Sequence, residues 1–389
     1  MSSVSDSAWE RAPLNWPAVI LFSLTTLGML TVFPWYAWTH DFSTAAWVWF
    51  VVFMYGTGMS ITGGYHRLWA HRAYQAHWSL KIVYMLLGAM SLQNSILIWA
   101  SMHRIHHKEV DHRDRDPYSA ERGLWFSHMG WMLRNYPSSA LDYKNARDLM
   151  EDPIVMFQHQ HYLGIALFMN IAVPALLGWA YGDVGGFLML VGLLRLVLSQ
   201  HFTFFINSLA HYWGRQPYTT ENSARDNDVL ALFTYGEGYH NYHHIFQWDY
   251  RNGIRWWQWD PTKWMIAGAA RIGLAYNLKR VPEFVIRRQM VQRQLERAQE
   301  QLAKAQPEAQ PGRLAALQTL LEQELKHYAE IASEWAKLQQ EKLEAAKRQL
   351  AEQWENSEAR ARIRALEDSL HQQHRRLRLL SLQAAQAAA

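Results

Sequence analysis

The hydrophobic pattern divides the chain into an apolar front and a polar rear. Four runs, at 17–36, 44–64, 162–182 and 186–206, hold about twenty residues each with almost no charge, and only the fourth carries one, Arg195. That length crosses roughly 30 Å of hydrocarbon as a helix, so the pattern predicts four transmembrane helices in two pairs. A fifth segment, 80–100, is nearly as apolar, but "SLQNS" at 91–95 interrupts it, and such side chains are costly in lipid. It is expected to be an interfacial or cap-buried helix. From about residue 285 the pattern turns to Arg, Gln, Glu, Leu and Ala, which is why the mean hydropathy of the whole chain is negative. The predicted organisation is a segment 1–16, a membrane domain with a cap over 17–284, and a helical tail over 285–389.

Charge orients the spans. The short connectors at 37–43 and 181–185 carry no Lys or Arg, whereas 101–158 carries eight. The positive-inside rule then places both termini and the long central segment in the cytoplasm of a multi-pass protein, with a bacterial inner membrane as the expected location. The first run, preceded by "MSSVSDSAWERAPLNW", lacks a small-residue cleavage site and leads directly into a second span, so a cleaved signal peptide is not expected. The absence of Cys excludes disulfides, thiolate zinc sites, cysteine nucleophiles and Cys-held iron–sulfur clusters. A net charge of +4, with acids and bases interleaved, argues against nucleic acid as a partner.

The candidate chemistry lies in the histidines. "HRIHH" supplies His103, His106 and His107, and "HNYHH" repeats the spacing with His240, His243 and His244. Positions i, i+3 and i+4 of a helix share a face, so each triplet can converge on a metal. "HRLWAH" adds His66 and His71, five residues apart, a separation that brings both rings to one centre only near a helix end or bend. "NSLAH" adds Asn207 and His211. A full crossing by 80–100 would put His66 and His71 on the opposite membrane face from the rest, a further argument against it. Nine imidazoles exceed the needs of one ion but suit two ions of higher coordination number, and iron is the natural reading. Glu109, Asp111, Asp114, Asp116 and Glu237 are candidates to orient imidazole N–H groups. A ferritin-like Glu-x-x-His reading also exists at Glu109/His112, Glu237/His240 and Glu324/His327, but the paired helices it requires are not evident. The other histidines, including His77, His128, His159, His161 and His201, lack a repeated motif and are read as structural or surface groups; His112, five residues past His107, is the one to test.

"HRLWAH", "HRIHH", "NSLAH" and "HNYHH", in this order between these spans, resemble the membrane-bound Δ9 fatty acyl desaturases of the stearoyl-CoA desaturase type, in a bacterial member. The resemblance covers about 17–282 and extends to "ERGLWFSHMGWMLRNYP" and "GEGYHNYHHIFQWDY". It implies an all-α fold of four transmembrane helices, with a cytoplasmic helical cap holding two Fe2+ ions. The implied ligands are His66, His71, His103, His106, His107, His211, His240, His243 and His244, with Asn207 reaching one iron through water. It further implies O2-dependent insertion of a cis double bond into a saturated acyl chain, with electrons from an external carrier and reductase. Asn94, Trp99 and Arg134 are implied substrate contacts, and Trp69, Trp99, Phe204 and Phe205 are candidates to line the acyl tunnel. Animal members carry an Arg-Asp pair where this chain has Ser101-Met102, and "RNYP" keeps one of two usual basic residues. The head group therefore stays open between CoA and phospholipid. A di-iron membrane hydroxylase and a non-enzymatic metal-binding scaffold are the alternatives.

The tail matches no part of that family. Leu314, Leu317, Leu321, Tyr328, Ile331, Trp335 and Leu338 follow a 3-4 spacing after a break at "QPEAQPGR" (306–313), which predicts an amphipathic or coiled-coil helix and possible self-association.

Overall fold

The computed structural model describes residues 12–304, 311–347 and 358–388. It divides into two compact units: one runs to Gln216 and resumes over Thr220–Arg280, and the other comprises Pro217–Thr219 and residues 281 onward. Helix dominates both, and the one sheet among the described residues is a two-residue antiparallel ladder, β1 (Gln75–Ala76) with β2 (Ala275–Tyr276).

In the first unit α1 (Trp16–Thr39) and α2 (Thr44–Ala70) are each long and apolar enough to cross a membrane. The segment after them forms two helices, α3 (Trp78–Ala89) and α4 (Ile96–Glu109), joined by a turn. This corrects the single helix expected over 80–100. The turn is where "SLQNS" falls, with Leu92 and Asn94 at positive φ of 51° and 73° and Ser95 capping α4. A second membrane-length pair follows, α5 (Pro153–Tyr181) and α6 (Val184–Tyr212), and the four together mark an integral membrane protein. Helix α5 starts well before its apolar run, capped by Asp152, and leaves helical geometry at His161 (φ −110°, ψ 17°), next to where the run begins.

Packing distinguishes the spans. Helix α1 has no buried residue over its apolar window, whereas Ala46 and Phe53 of α2, Met169 of α5 and Phe187, Leu190 and Val191 of α6 share one core. Asp183 caps α6 through the Gly186 N–H (2.8 Å) and accepts the Ser43 N–H (3.0 Å), tying the two short connectors together. The charge predicted inside α6 also has its reason. Arg195 is fully buried and donates to the carbonyls of Val191 (2.9 Å) and Met90 (2.8 Å) and to Asn170 Oδ1, so it holds the turn after α3. Gln93 reaches Thr203 Oγ1 of α6 at 2.9 Å. The polar groups that forbid a crossing are satisfied by polar groups of a neighbouring span.

The cap adds α7 (Asp228–Phe233), α8 (His240–Ile245) and α9 (Pro261–Arg271). The second unit holds α10 (Glu283–Lys304), α11 (Pro311–Lys347) and α12 (Glu358–Ala388). Contacts of Glu334 with Arg362, His327 with Ser369 and Glu324 with Arg376 set α11 and α12 antiparallel. The predicted stripe is consumed inside this unit: Leu317, Leu321, Ile331 and Leu338 are buried with Phe284, Leu295, Leu370 and Leu377, and Trp335 stacks on Phe284. Residues 305–310, which hold most of the predicted break, and the Leu314 side chain lie outside what is described.

Candidate metal centre

The centre begins where α2 changes its winding. Residues Ser60–Ala70 form a π-helix, and the His71 N–H closes it by donating to His66 O, five residues back, at 3.0 Å. An i→i+5 bond sets residues five apart above one another, which an α-helix cannot do. The rings of His66 and His71 consequently meet with centroids 4.7 Å apart. The expected helix end is present, and the π-winding supplies the remaining rotation.

All nine motif histidines converge, and they sort into two groups. His66, His71, His103, His107 and His243 form one, and His106, His211, His240 and His244 form the other, with one potential ligand atom per residue lying within 4.8 Å of the others in its group. Nε2 atoms face each other at 2.9 Å (His66–His243), 2.8 Å (His71–His103) and 3.0 Å (His107–His243) in the first. In the second, His211–His240 and His240–His244 are each 3.1 Å apart. Donors about 2.0–2.1 Å from a shared ion would stand about 2.9 Å from their neighbours at right angles, so these spacings fit metal ligation. His106 Nε2 is buried with no hydrogen-bond partner among the described residues, as a lone pair reserved for an ion would be.

Oxygen atoms back the outer ring nitrogens. Glu237 lies 3.0 Å from His66 Nδ1 and Asp116 lies 2.9 Å from His106 Nδ1, while the Tyr118 hydroxyl is 3.2 Å from His103 Nδ1. Ser223 Oγ sits 2.7 Å from His211 Nδ1 and donates to Asp111 at 2.5 Å. Such contacts fix the tautomer whose Nε2 lone pair points inward. Glu237 is itself gripped by the buried Arg67 (2.8 Å) and by Asn252, and Arg67 also pairs with Asp260 at 3.1 Å. Of the five candidate acids, Glu237, Asp116 and Asp111 back imidazoles, whereas Glu109 pairs with Arg115 and the Asp114 N–H is directed to His112. Burial opposes the Glu237 carboxylate, yet His66 and Arg67 hold its pKa below the ordinary value. Burial first, then crowding by other imidazoles, holds His71, His103, His107, His240, His243 and His244 well below the usual 6.5. Neutral imidazoles are what a metal requires.

The remaining predicted residues occupy the following positions, some beside the centre and some away from it. Asn207 ends the α-helical part of α6, half-buried, four residues before His211. Trp99 stacks on His103 at 4.9 Å and meets His66 edge-on at 6.0 Å, forming one wall of the first group. Trp69 directs its indole N–H to Asp152 (3.4 Å), while Phe204 and Phe205 pack on His128. Asn94 is exposed on the turn after α3, and Arg134 donates to Ala12 O at 2.7 Å. Ser101 and Met102 are buried, with Ser101 Oγ bonded to Asn145 at 2.7 Å, so the missing charged pair corresponds to an inward-turned position. His112 is exposed and belongs to neither group, and His128 pairs with His201 at 3.0 Å. Glu324 of the last Glu-x-x-His pattern pairs with Arg376 in the second unit. Sequence reasoning missed Ser223, Tyr118, Arg67 and Asp260. Arg67 and Asp260 carried a usable signal, since buried charges come in compensated sets, but Ser223 and Tyr118 are single common residues in loops.

Residues 43–280 match the fatty acid desaturase family. The chain is 44% identical over 257 residues to acyl-CoA desaturase 1 of Saccharomyces cerevisiae, covering 66% of this chain and 50% of the yeast protein. It is 42% identical over 286 residues to a probable acyl-CoA desaturase of Schizosaccharomyces pombe, covering 73% of this chain and 58% of that protein. Human stearoyl-CoA desaturase is 36% identical over 282 residues, covering 70% of this chain and 76% of the human protein. The chain thus spans about half the length of the fungal relatives. The matched region holds every residue of both imidazole groups, and on this footing the chain belongs to the fatty acid desaturase family.

Proposed function

We propose that the protein is an O2-dependent acyl-CoA desaturase that places a cis double bond at the Δ9 position of a saturated chain, using two irons and electrons from an external carrier and its reductase. The observation that carries this is the sorting of nine buried or half-buried imidazoles into groups of five and four, with Nε2 atoms inward and oxygens behind them. The names of the relatives, acyl-CoA and stearoyl-CoA desaturases, favour acyl-CoA over a phospholipid-bound chain. The atom balance is one saturated acyl chain, O2, two electrons and two protons giving the monounsaturated chain and two waters.

Bound iron would supply the oxidising power for removing two hydrogens from adjacent methylenes. The protein's part is position. His66, His71, His103, His107 and His243 would hold one ion, and His106, His211, His240 and His244 the other, with Asn207 near the second through water. Glu237, Asp116, Tyr118 and Ser223 keep the Nδ1 protons outward and the rings fixed. Trp99, flat against His103, would form an apolar wall that excludes water and limits which methylenes lie beside the centre. Asn94 and Arg134 remain candidates for head-group contacts. The histidine-bearing face and both termini are assigned to the cytoplasm, where the carrier would meet it.

The test is iron-loaded protein in lipid nanodiscs, given stearoyl-CoA deuterated at C9 and C10, O2 and a reducing carrier system. The expected product is a monounsaturated acyl-CoA that has lost one deuterium from each carbon. A product that has gained oxygen, or double bonds appearing only in phospholipid, would overturn the assignment.

A further inference from the structure

Two cap segments outside the four spans expose large apolar side chains. Val229, Leu232 and Phe233 of α7 are about half exposed, and Trp256 (82%), Trp257 (57%) and Trp264 (42%) project from the loop before α9 and from α9 itself. Their depth can be read from their attachments. Helix α2 starts at Thr44, and about twenty residues at 1.5 Å each cover about 30 Å, so it leaves the hydrocarbon near Gly63. Tyr235, two residues past α7, donates its hydroxyl to Met54 O at 2.9 Å. Its ring also occupies the space beside Gly58, where an added Cβ would lie 2.0 Å from Tyr235 Cε2. Phe233 meets Phe202 of α6 with centroids 5.4 Å apart. Helix α9 is joined to α2 at the level of emergence, with Thr62 and Thr262 hydroxyls 2.6 Å apart. Lys263 Nζ donates to the carbonyls of Gly253, Arg255 and Gln258, binding the tryptophan loop to α9. Exposed cations flank the rings: Arg255 lies 5.2 Å from the Trp257 ring centroid, and Arg271 ends α9.

We propose that α7 and the 256–264 segment are sunk into the lipid leaflet on the histidine side, so that the cap has the bilayer itself as a ligand. The apolar side chains of α7 enter the acyl region beside α2 and α6. The tryptophans lie at the headgroup boundary, where rings with one apolar body and one polar N–H are favoured, and Arg255 and Arg271 meet anionic head groups. The occupant is lipid because both segments are attached at or below the level at which α2 leaves the membrane, a depth closed to a soluble partner. The anchor also reaches the metal centre. Asp260 caps α9 and pairs with Arg67, Arg67 holds Glu237, and Glu237 backs His66.

The chain's lack of Cys allows a direct depth measurement. Single-cysteine variants Leu232→Cys, Trp256→Cys and Trp264→Cys, with Lys144→Cys as an exposed control, are nitroxide-labelled in the full-length protein. They are reconstituted in nanodiscs of phosphatidylcholine and phosphatidylglycerol, and relaxation by O2 is compared with relaxation by a water-soluble nickel chelate. The O2-to-nickel ratio is expected to be several-fold higher at 232, 256 and 264 than at 144, with 232 the deepest. Trp257→Cys replaces any variant that does not elute as folded protein. Ratios at 256, 257 and 264 equal to the control would overturn the proposal, as would protection from nickel that arises only when an acidic redox protein is added.

Discussion

Helices α4 and α8 carry the same spelling, His-x2-His-His, and use it in opposite senses. In α4 the i, i+4 pair His103 and His107 joins the five-imidazole group while His106 crosses to the other; in α8 His240 and His244 join the four-imidazole group while His243 crosses. The geometry explains the sharing, because i and i+4 differ by about 40° around the helix, whereas i+3 lies about 60° to the other side. The two helices differ in what holds them. Helix α4 has fourteen residues and a Ser95 cap, so its own backbone sets its rings. Helix α8 has six residues and no side-chain cap, and is strapped from outside: the Tyr242 N–H donates to Asp226 (3.1 Å) and the Asn241 amide to Ala224 O (2.9 Å). One motif is positioned by local structure and the other by tertiary contacts, and each imidazole group draws on both.

Removing a crossing residue breaks this arrangement most severely. His106→Ala and His243→Ala should each abolish turnover, since the proposed two-iron chemistry requires both ions. They should differ in metal content: His106→Ala leaves three imidazoles in its group and is expected to retain about one iron per chain, while His243→Ala leaves four and retains more on chelator challenge. Iron analysis after dialysis decides it, and an active His106→Ala enzyme would refute the shared-site geometry.

The backing carboxylates come next. Asp116→Asn, behind the crossing ring of α4, and Glu237→Gln, behind His66, should weaken iron binding about 10–100-fold, measured by competition with a chromophoric chelator. Equal affinity in both variants and the parent would show that the rings are held by packing alone.

Acid tests His71 together with two rings of the α4 triplet, His103 and His107, and the whole α8 triplet. The six imidazoles named above have folded-state pKa values pushed below 6.5, so the unfolded chain binds more protons between those values and 6.5. Stability of the metal-free protein should therefore be fully present above pH about 6.5 and fall as pH drops below it. A melting temperature of chelator-treated protein that stays flat or rises from pH 7 to 5 would contradict this burial.

Smaller effects sharpen the contrast. Ser95→Ala should cost about 1 kcal/mol through the lost cap of α4, seen as a lower melting temperature with iron retained. Truncation after Arg280, which touches neither triplet, should leave turnover unchanged. Cutting at residue 313 instead would strip α10 of its partners and expose Phe284, Val291 and Leu295, so that shorter deletion should aggregate. Loss of turnover in a chain truncated at 280 that still binds iron would give the tail a catalytic role.

Much of this molecule follows from local pattern. Four spans, the Arg195 anomaly, the histidine set and the amphipathic tail are visible because hydrophobic runs and helical spacing act over neighbouring residues. Several features are invisible at that range. The five-to-four sorting depends on how α2, α4, α6 and α8 meet, and Ser223 backs His211 only because its loop packs there. The π-winding of Ser60–Ala70 has no separate spelling, and its buried Arg67 finds charge partners 170 and 193 positions away. The tail's stripe specifies a helix needing an apolar partner, but whether that partner is another copy or α10 and α12 depends on which surface is nearest once the chain is folded. Sequence determined which residues seek lipid, helix or metal, since those preferences belong to single side chains and their near neighbours. Tertiary structure alone decided which preferences meet, because that depends on distances between residues far apart in the chain.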